Sequence, residues 1–261
     1  MKSLPVIREK SLWTLLFTSS WKPFKGEFGF LAYILSTIYV TAIAILLALP
    51  FSLLTAIYLC EYANKKVKRF FYPLVDLLSG IPPVIYGVWG TLTIVPFISE
   101  RLAPHFVDFS TGYSVLAGGI VLAIMVVPLI VSILSEVFKS IPNEMREASL
   151  SVGATKWETI KRVTLRKSLP GIIAAVVLAI SRAFGETMAV LMVCGNMNII
   201  PHSVFDSCYP LPALIANNYG EMMSMPGYES ALMLAAFLLF IIIVFFNAGS
   251  RLILNKIERR Y

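Results

Sequence analysis

Charge is what this sequence has least of. Only 14% of its 261 residues are charged and 57% are hydrophobic, whereas soluble domains are charged at roughly a quarter of their positions. Such a chain belongs in a membrane. Histidine and cysteine are scarce as well. His105 and His202 stand alone in loops, and Cys60, Cys194 and Cys208 form no close-spaced pair, so neither a zinc site nor a disulfide framework is indicated. No HExxH, no GxSxG and no phosphate-cradling GxxxxGK[ST] occurs, which leaves no catalytic set and no means of hydrolysing ATP within the chain. No long apolar segment follows the first basic residues, so no signal peptide is expected. The net charge of +7 does not point to nucleic acid, because the basic residues cluster at the ends of apolar runs, where membrane topology places them.

What is present is a set of five apolar stretches, each able to supply the about 20 residues that cross a bilayer. They run from about 30 to 58, 70 to 98, 114 to 138, 169 to 194 and 228 to 254, within an all-α domain spanning 29–254. The first is expected to be interrupted near Pro50. Pro73, Gly80, Pro82, Pro83, Gly87, Gly90 and Pro96 predict a kinked or discontinuous second stretch, tolerated only where protein or a watery cavity covers the freed backbone groups. Asp76 reads as a helix cap or hydrogen-bond partner there. The third stretch holds Pro128, and the fourth holds Arg182 and Glu186. Tyr58, Tyr62, Tyr72 and Tyr228 flank the stretches as interfacial anchors. Residues 1–28 mix charge and aromatics, and their one apolar run, Leu12 to Phe17, is too short to cross.

Basic residues concentrate on the cytoplasmic side of a membrane. Lys65, Lys66, Lys68 and Arg69, those between Lys139 and Lys167, and Arg251, Lys256, Arg259 and Arg260 all fall on one side, while the opposite loops offer only Arg101. Five spans and a cytoplasmic tail at 255–261 put residues 1–28 outside. Yet that segment carries Lys2, Arg8, Lys10, Lys22 and Lys25, against the rule.

Between the third and fourth stretches, residues 139–168 form a charged island. It reads as two short helices joined at Gly153. Pro142 suits a first helical turn, and Glu144 and Glu147 place negative charge near that positive dipole end. Thr155 and Glu158 are spaced as a capping box for the second helix. Met145, Ala148 and Val152 are expected on one face of the first helix, with Glu144, Arg146 and Glu147 outside it, and Trp157, Ile160 and Val163 on one side of the second. Both helices then need a surface to lie against, part of it another protein. On spacing alone, any loop between two spans can fold as such a hairpin.

Glu147-Ala148-Ser149, three residues and Gly153 resemble the EAA loop of ABC importer permeases, the cytoplasmic helix-turn-helix that docks on an ATP-hydrolysing subunit. The family usually has alanine where Ser149 stands, and Ile-x-Leu-Pro where this chain has Val163-Thr164-Leu165-Arg166, which leaves Pro170 to turn the chain. Two more motifs, Ser79-Gly80-Ile81-Pro82-Pro83-Val84-Ile85-Tyr86-Gly87-Val88-Trp89-Gly90 and Gly185-Glu186-Thr187-Met188-Ala189-Val190 followed by Gly195-Asn196, are similar to the phosphate-specific permease of the PstC type. The resemblance covers nearly the whole chain. It implies the MetI-like permease fold in the inner membrane, with one more helix before the first span, so this chain is expected to begin just after that helix. It also implies no cofactor in this chain, a second permease of the PstA type, two copies of a cytoplasmic ATPase that uses the ATP, and an external phosphate-binding protein, with membrane lipid and no nucleic acid as the other surroundings. Glu147, Ala148, Ser149 and Gly153 would couple to the ATPase.

An arginine inside a span costs about 2.5–3.5 kcal/mol on insertion scales, so Arg182 should face a cavity or a partner. Glu186, four positions later, is expected on the same helix face as its ion-pair partner. Spacing alone leaves two readings open: a packing lock, or a substrate pathway in which Arg182 offers an oxyanion a forked donor and Glu186 tempers the grip. The phosphate resemblance favours the pathway. Rivals are a permease for sulfate or molybdate, and, from other classes, an ion channel or an intramembrane enzyme. The enzyme would need a polar dyad on two spans, and the sequence offers only this pair on one.

Overall fold

The computed structural model describes residues 12–22, 26–220 and 227–258. Residues 1–11 and 23–25 of the expected external segment and 259–261 of the tail, with the cations they carry, lie outside the described residues. Helix dominates. After α1 (Leu12–Phe17), a two-stranded antiparallel hairpin pairs β1 (Trp21–Lys22) with β2 (Glu27–Phe28) in the register Trp21 to Phe28. There follow α2 (Leu31–Tyr62), α3 (Lys65–Ser79), α4 (Pro83–His105), α5 (Val115–Lys139), α6 (Asn143–Ser151), α7 (Lys156–Lys167), α8 (Leu169–Gly185), α9 (Met188–Val193), α10 (Leu211–Asn218) and α11 (Tyr228–Glu258). Among the described residues, α2, α5 and α11 are each long and apolar enough to cross a membrane, and the bent pairs α3–α4 and α7–α8 make five if each is one span.

The interruption expected near Pro50 does not occur. Helix α2 runs through it, since one proline removes a single backbone bond and the apolar run on both sides outweighs that loss. The second stretch is discontinuous, as expected, but its break is confined to Gly80–Pro82. The basic run before it is helical: Asn64 accepts the Val67 amide at 2.9 Å and starts α3 at Lys65. Asp76 contributes at the end of α3 through its backbone carbonyl, which accepts Ser79 Oγ at 2.8 Å and the Gly80 amide at 3.2 Å. Helix α4 absorbs Gly90 and Pro96 with π-helical turns at Gly90–Ile94 and Ile98–Leu102 rather than breaking. The fourth stretch divides in two, because α8 ends at Gly185 and α9 starts at Met188.

The chain forms two compact units. One comprises Met1–Ala44, Pro82–Ala123 and Arg182–Phe245, the other Ile45–Ile81, Ile124–Ser181 and Phe246–Tyr261. The first is built on aromatic rings. Trp21 meets Phe28, Phe30, Tyr33 and Tyr228 edge-on at centroid distances of 5.2, 5.5, 5.3 and 5.9 Å, which explains why so short an N-terminal segment is rich in aromatics. Two hydroxyls of α2 serve the entry to α10: Ser36 accepts the Tyr209 amide at 3.3 Å and Thr37 the Leu211 amide at 2.9 Å. These amides head a helix start and have no intrahelical partner.

The second unit holds the end of α2, α3, the end of α5, the hairpin α6–α7 and most of α8. Leu59, Val75 and Val131 form its small buried cluster. Helices α7 and α8 meet at 65°. The bend falls at Ser168, whose hydroxyl folds back on the Thr164 carbonyl at 2.7 Å, and Pro170 lies in the first turn beyond it.

Candidate functional site

In the second unit, the charged island folds as two helices about Gly153, whose φ of +86° is left-handed and suits glycine. Pro142 caps α6 rather than lying inside its first turn. The capping box is complete: Thr155 Oγ1 accepts the Glu158 amide at 3.2 Å, and Glu158 Oε2 accepts the Thr155 amide at 2.9 Å. The Thr155 amide and, at 2.9 Å, the Thr155 hydroxyl donate to the Glu158 carboxylate, which favours its charged form and holds the Glu158 pKa below its ordinary value.

The faces differ from the expected ones. Ile160 is buried with Thr159 and Thr164, while Trp157 on the same helix is 52% exposed. On α6, Ala148 and Glu147 are exposed, and Leu150 and Val152 beside the turn are 47% and 84% exposed. The apolar side of the hairpin tip is therefore turned out. Ser149, where the EAA pattern has alanine, uses its hydroxyl: it lies 3.0 Å from Thr159 Oγ1 and ties the two helices together.

Arg146 points inward, not outward. Its Nη2 lies 3.2 Å from Glu61 Oε1 and donates to the Phe138 carbonyl at 2.7 Å, and its Nη1 donates to the Ile141 carbonyl at 3.2 Å and to Asn143 Oδ1 at 2.8 Å. The planar guanidinium thus fills the carboxyl end of α5 and reaches the end of α2 at once, a task suited to its five forked donors. Two lysines repeat the pattern. Lys139 sits 3.8 Å from the centre of the Tyr72 ring and Lys156 4.5 Å from that of Tyr62. The hairpin and the helix end before it are thus held by cations against the α2–α3 corner, and the two tyrosines do more than mark an interface. A lone acid, Glu61, between an apolar run and a basic run was the signal available in the sequence.

In the first unit, the two remaining motifs are brought together. Helix α9 packs on the start of α4 so closely that a Cβ on Gly87 would stand 2.7 Å from Met192 Sδ and 3.2 Å from the Ala189 α-carbon. Thr91 Oγ1 lies 3.0 Å from the Gly87 carbonyl and 3.1 Å from that of Met192. Arg182 is exposed. Among the described residues no ion pair joins Arg182 to Glu186. The expected shared face requires one continuous helix, and α8 stops at Gly185. Glu186 instead lies in the break and accepts the Ala189 amide at 3.4 Å. Among the described residues no group of three or more His, Cys, Asp and Glu could hold a metal ion.

A family model for the binding-protein-dependent transport system inner membrane component matches residues 48–261, which include the hairpin and both packed motifs. The chain belongs to that family. Relatives of this permease extend the match toward the amino end. The phosphate transport system permease protein PstC of Mesorhizobium japonicum is 35% identical over 95% of this chain and 80% of that protein. The probable PstC of Methanocaldococcus jannaschii is 36% identical over 92% of this chain and 80% of its own. The permease is also similar in fold to a chain of the MetNI methionine ABC transporter in an inward-facing conformation, with a TM-score of 0.65 and 21% identity over 85% of this chain and 93% of that one.

Proposed function

We propose that the chain is the membrane-crossing subunit of an ATP-driven importer of inorganic phosphate. An external binding protein delivers the anion, a second permease of the PstA type completes the channel, and two copies of a cytoplasmic ATPase drive it. The observation that carries this reading is the similarity to phosphate transport permeases along nearly the whole chain. The residues support it chemically. An exposed arginine in an apolar span needs a watery or protein surface, and a guanidinium whose fork no carboxylate closes among the described residues can grip a phosphate oxyanion. Arg182 is then the cation of the pathway and Glu186 shapes the break beside it. Glu147, Ala148, Ser149 and Gly153 form the coupling hairpin, and the exposed Leu150, Val152 and Trp157 are the apolar surface that an ATPase groove covers. In this reading the hairpin is cytoplasmic and residues 195–227 are external, on the side with few basic residues.

The test is ATP-dependent uptake of labelled phosphate into proteoliposomes holding the full complex. Uptake is expected to be competed by arsenate, of nearly the same shape and charge, and not by sulfate or molybdate. Equal competition by sulfate would overturn phosphate as the substrate, and currents without the ATPase would overturn the importer.

A further inference from the structure

Two cysteines that stand apart in the sequence lie side by side in the first unit. The Cys208 amide donates to the Cys194 carbonyl at 2.9 Å, and Gly195 pairs with Cys208 in a parallel bridge. A hydrogen bond of that length leaves only a Cα–C–O link on one side and an N–Cα bond on the other. The two α-carbons therefore fall within the roughly 4.4–6.8 Å that a disulfide spans. Both side chains are free thiols and fully buried.

The surroundings hold the pair in place. The Ser114 amide donates to the Val193 carbonyl at 3.2 Å, the Val115 amide to the Asp206 carbonyl at 3.0 Å, and Ser207 Oγ to the Tyr113 carbonyl at 2.8 Å, so both arms are tied to the start of α5. A Cβ on Gly118 of α5 would stand 2.5 Å from Cys194 Sγ, so α5 comes close enough there to shut the sulfur in. No step of anion transport uses a thiol.

We propose that Cys194 and Cys208 are a thiol–disulfide site that closes during folding and pins residues 195–208 as a loop. The oxidant is of the disulfide class, a disulfide-bearing oxidase or oxidised glutathione. The two thiols lose two protons and two electrons as the Sγ–Sγ bond forms, and the oxidant's disulfide is cleaved to two thiols. Exchange precedes burial, because the seated pair is out of reach of either reagent. The inference rests on the external placement of residues 195–227 proposed above, since disulfides persist in oxidising compartments and not in the cytosol. Cys60, in the other unit, lies 3.7 Å from the Ser135 carbonyl and is the internal control.

Cells carrying the full transporter are quenched in acid, and the protein is denatured, alkylated without reductant, digested and weighed. The expected result is one joined pair of peptides holding Cys194 and Cys208, with Cys60 alkylated. Alkylation of both Cys194 and Cys208 overturns the proposal. A Cys208→Ala protein should leave Cys194 open to alkylation and lower the thermal midpoint by about 5 °C, the scale of one lost loop constraint; if it fails to accumulate, the wild-type mass still decides. Phosphate uptake separates the two readings. Import with both thiols free sinks the disulfide alone, whereas a joined pair in a protein that does not import phosphate sustains the disulfide and removes the import reading.

Discussion

Arg146 and Glu61 make a 3.2 Å ion pair between the first helix of the hairpin and the end of α2, with side chains only 18% and 11% exposed. Removing one partner of a largely buried pair strands the other, so Arg146→Ala is expected to cost about 3 kcal/mol. Glu61→Gln should cost less, because its amide oxygen still accepts from Arg146. Arg146→Lys keeps the charge, but a single ammonium cannot serve Glu61, Phe138, Ile141 and Asn143 together. Denaturant melts of the assembled complex would measure the order. An unchanged midpoint for Arg146→Ala would show that the pair holds nothing.

Gly153 tests the hairpin as a coupling element. Nothing lies within 4 Å of a Cβ built there, so a side chain meets no obstacle and only the left-handed backbone resists it. Gly153→Val should destabilise by about 1–2 kcal/mol and Gly153→Asn by less. Gly153→Pro cannot adopt the conformation and loses the amide that donates to the Leu150 carbonyl at 3.0 Å. It is expected to assemble and hydrolyse ATP without importing phosphate. Normal import by that variant would remove the hairpin from the coupling path.

The capping box carries a pH dependence of definite sign. Hydrogen bonds from Thr155 lower the Glu158 pKa from 4.5 in the folded protein. A depressed carboxylate adds stability that is present above its unfolded pKa and lost as pH falls through the folded one. The start of α7 should therefore loosen as pH drops below about 4.5. Amide exchange at Glu158 would report it. Thr155→Ala should weaken that dependence without abolishing it, because the backbone amide at 155 still donates to the carboxylate while the hydroxyl is lost, and should cost about 1 kcal/mol at neutral pH. Equal exchange at pH 7 and pH 3, after correction for the intrinsic rate, would contradict the account.

In the proposed pathway, substrate and mechanism both depend on Arg182. Arg182→Gln should reduce phosphate import to background while leaving the complex assembled, since glutamine keeps polarity without the charge. Glu186→Gln should impair import less, because an amide oxygen can still accept from Ala189 and no ion pair with Arg182 is lost. Exchanging the two residues should not restore import. Full uptake by the exchanged protein would mean that the residues act as a reciprocal pair after all.

Local features are legible in the residues alone. The apolar runs, the Thr155–Glu158 box and the Gly153 turn each depend on residues within a few positions of one another, and hydropathy and spacing report those directly. The expected Arg182–Glu186 pair failed for a local reason too: the i, i+4 rule presumes unbroken helix, and Gly185 ends it. Periodicity groups Trp157 with Ile160 because it says that a helix has two faces without saying how far each is covered.

Distant encounters lie beyond such reading. The sequence by itself determined a helical membrane protein, the order of its three motifs and the caps of its hairpin, since each follows from near-neighbour backbone chemistry and from the cost of charge in lipid. Only the tertiary structure decided that Arg146 turns inward to Glu61, that Gly87 and Thr91 receive Met192, and that Cys194 meets Cys208. Those contacts join residues remote in the chain. Which remote groups meet is set by how the buried helices fill space together, and composition and period carry no record of that.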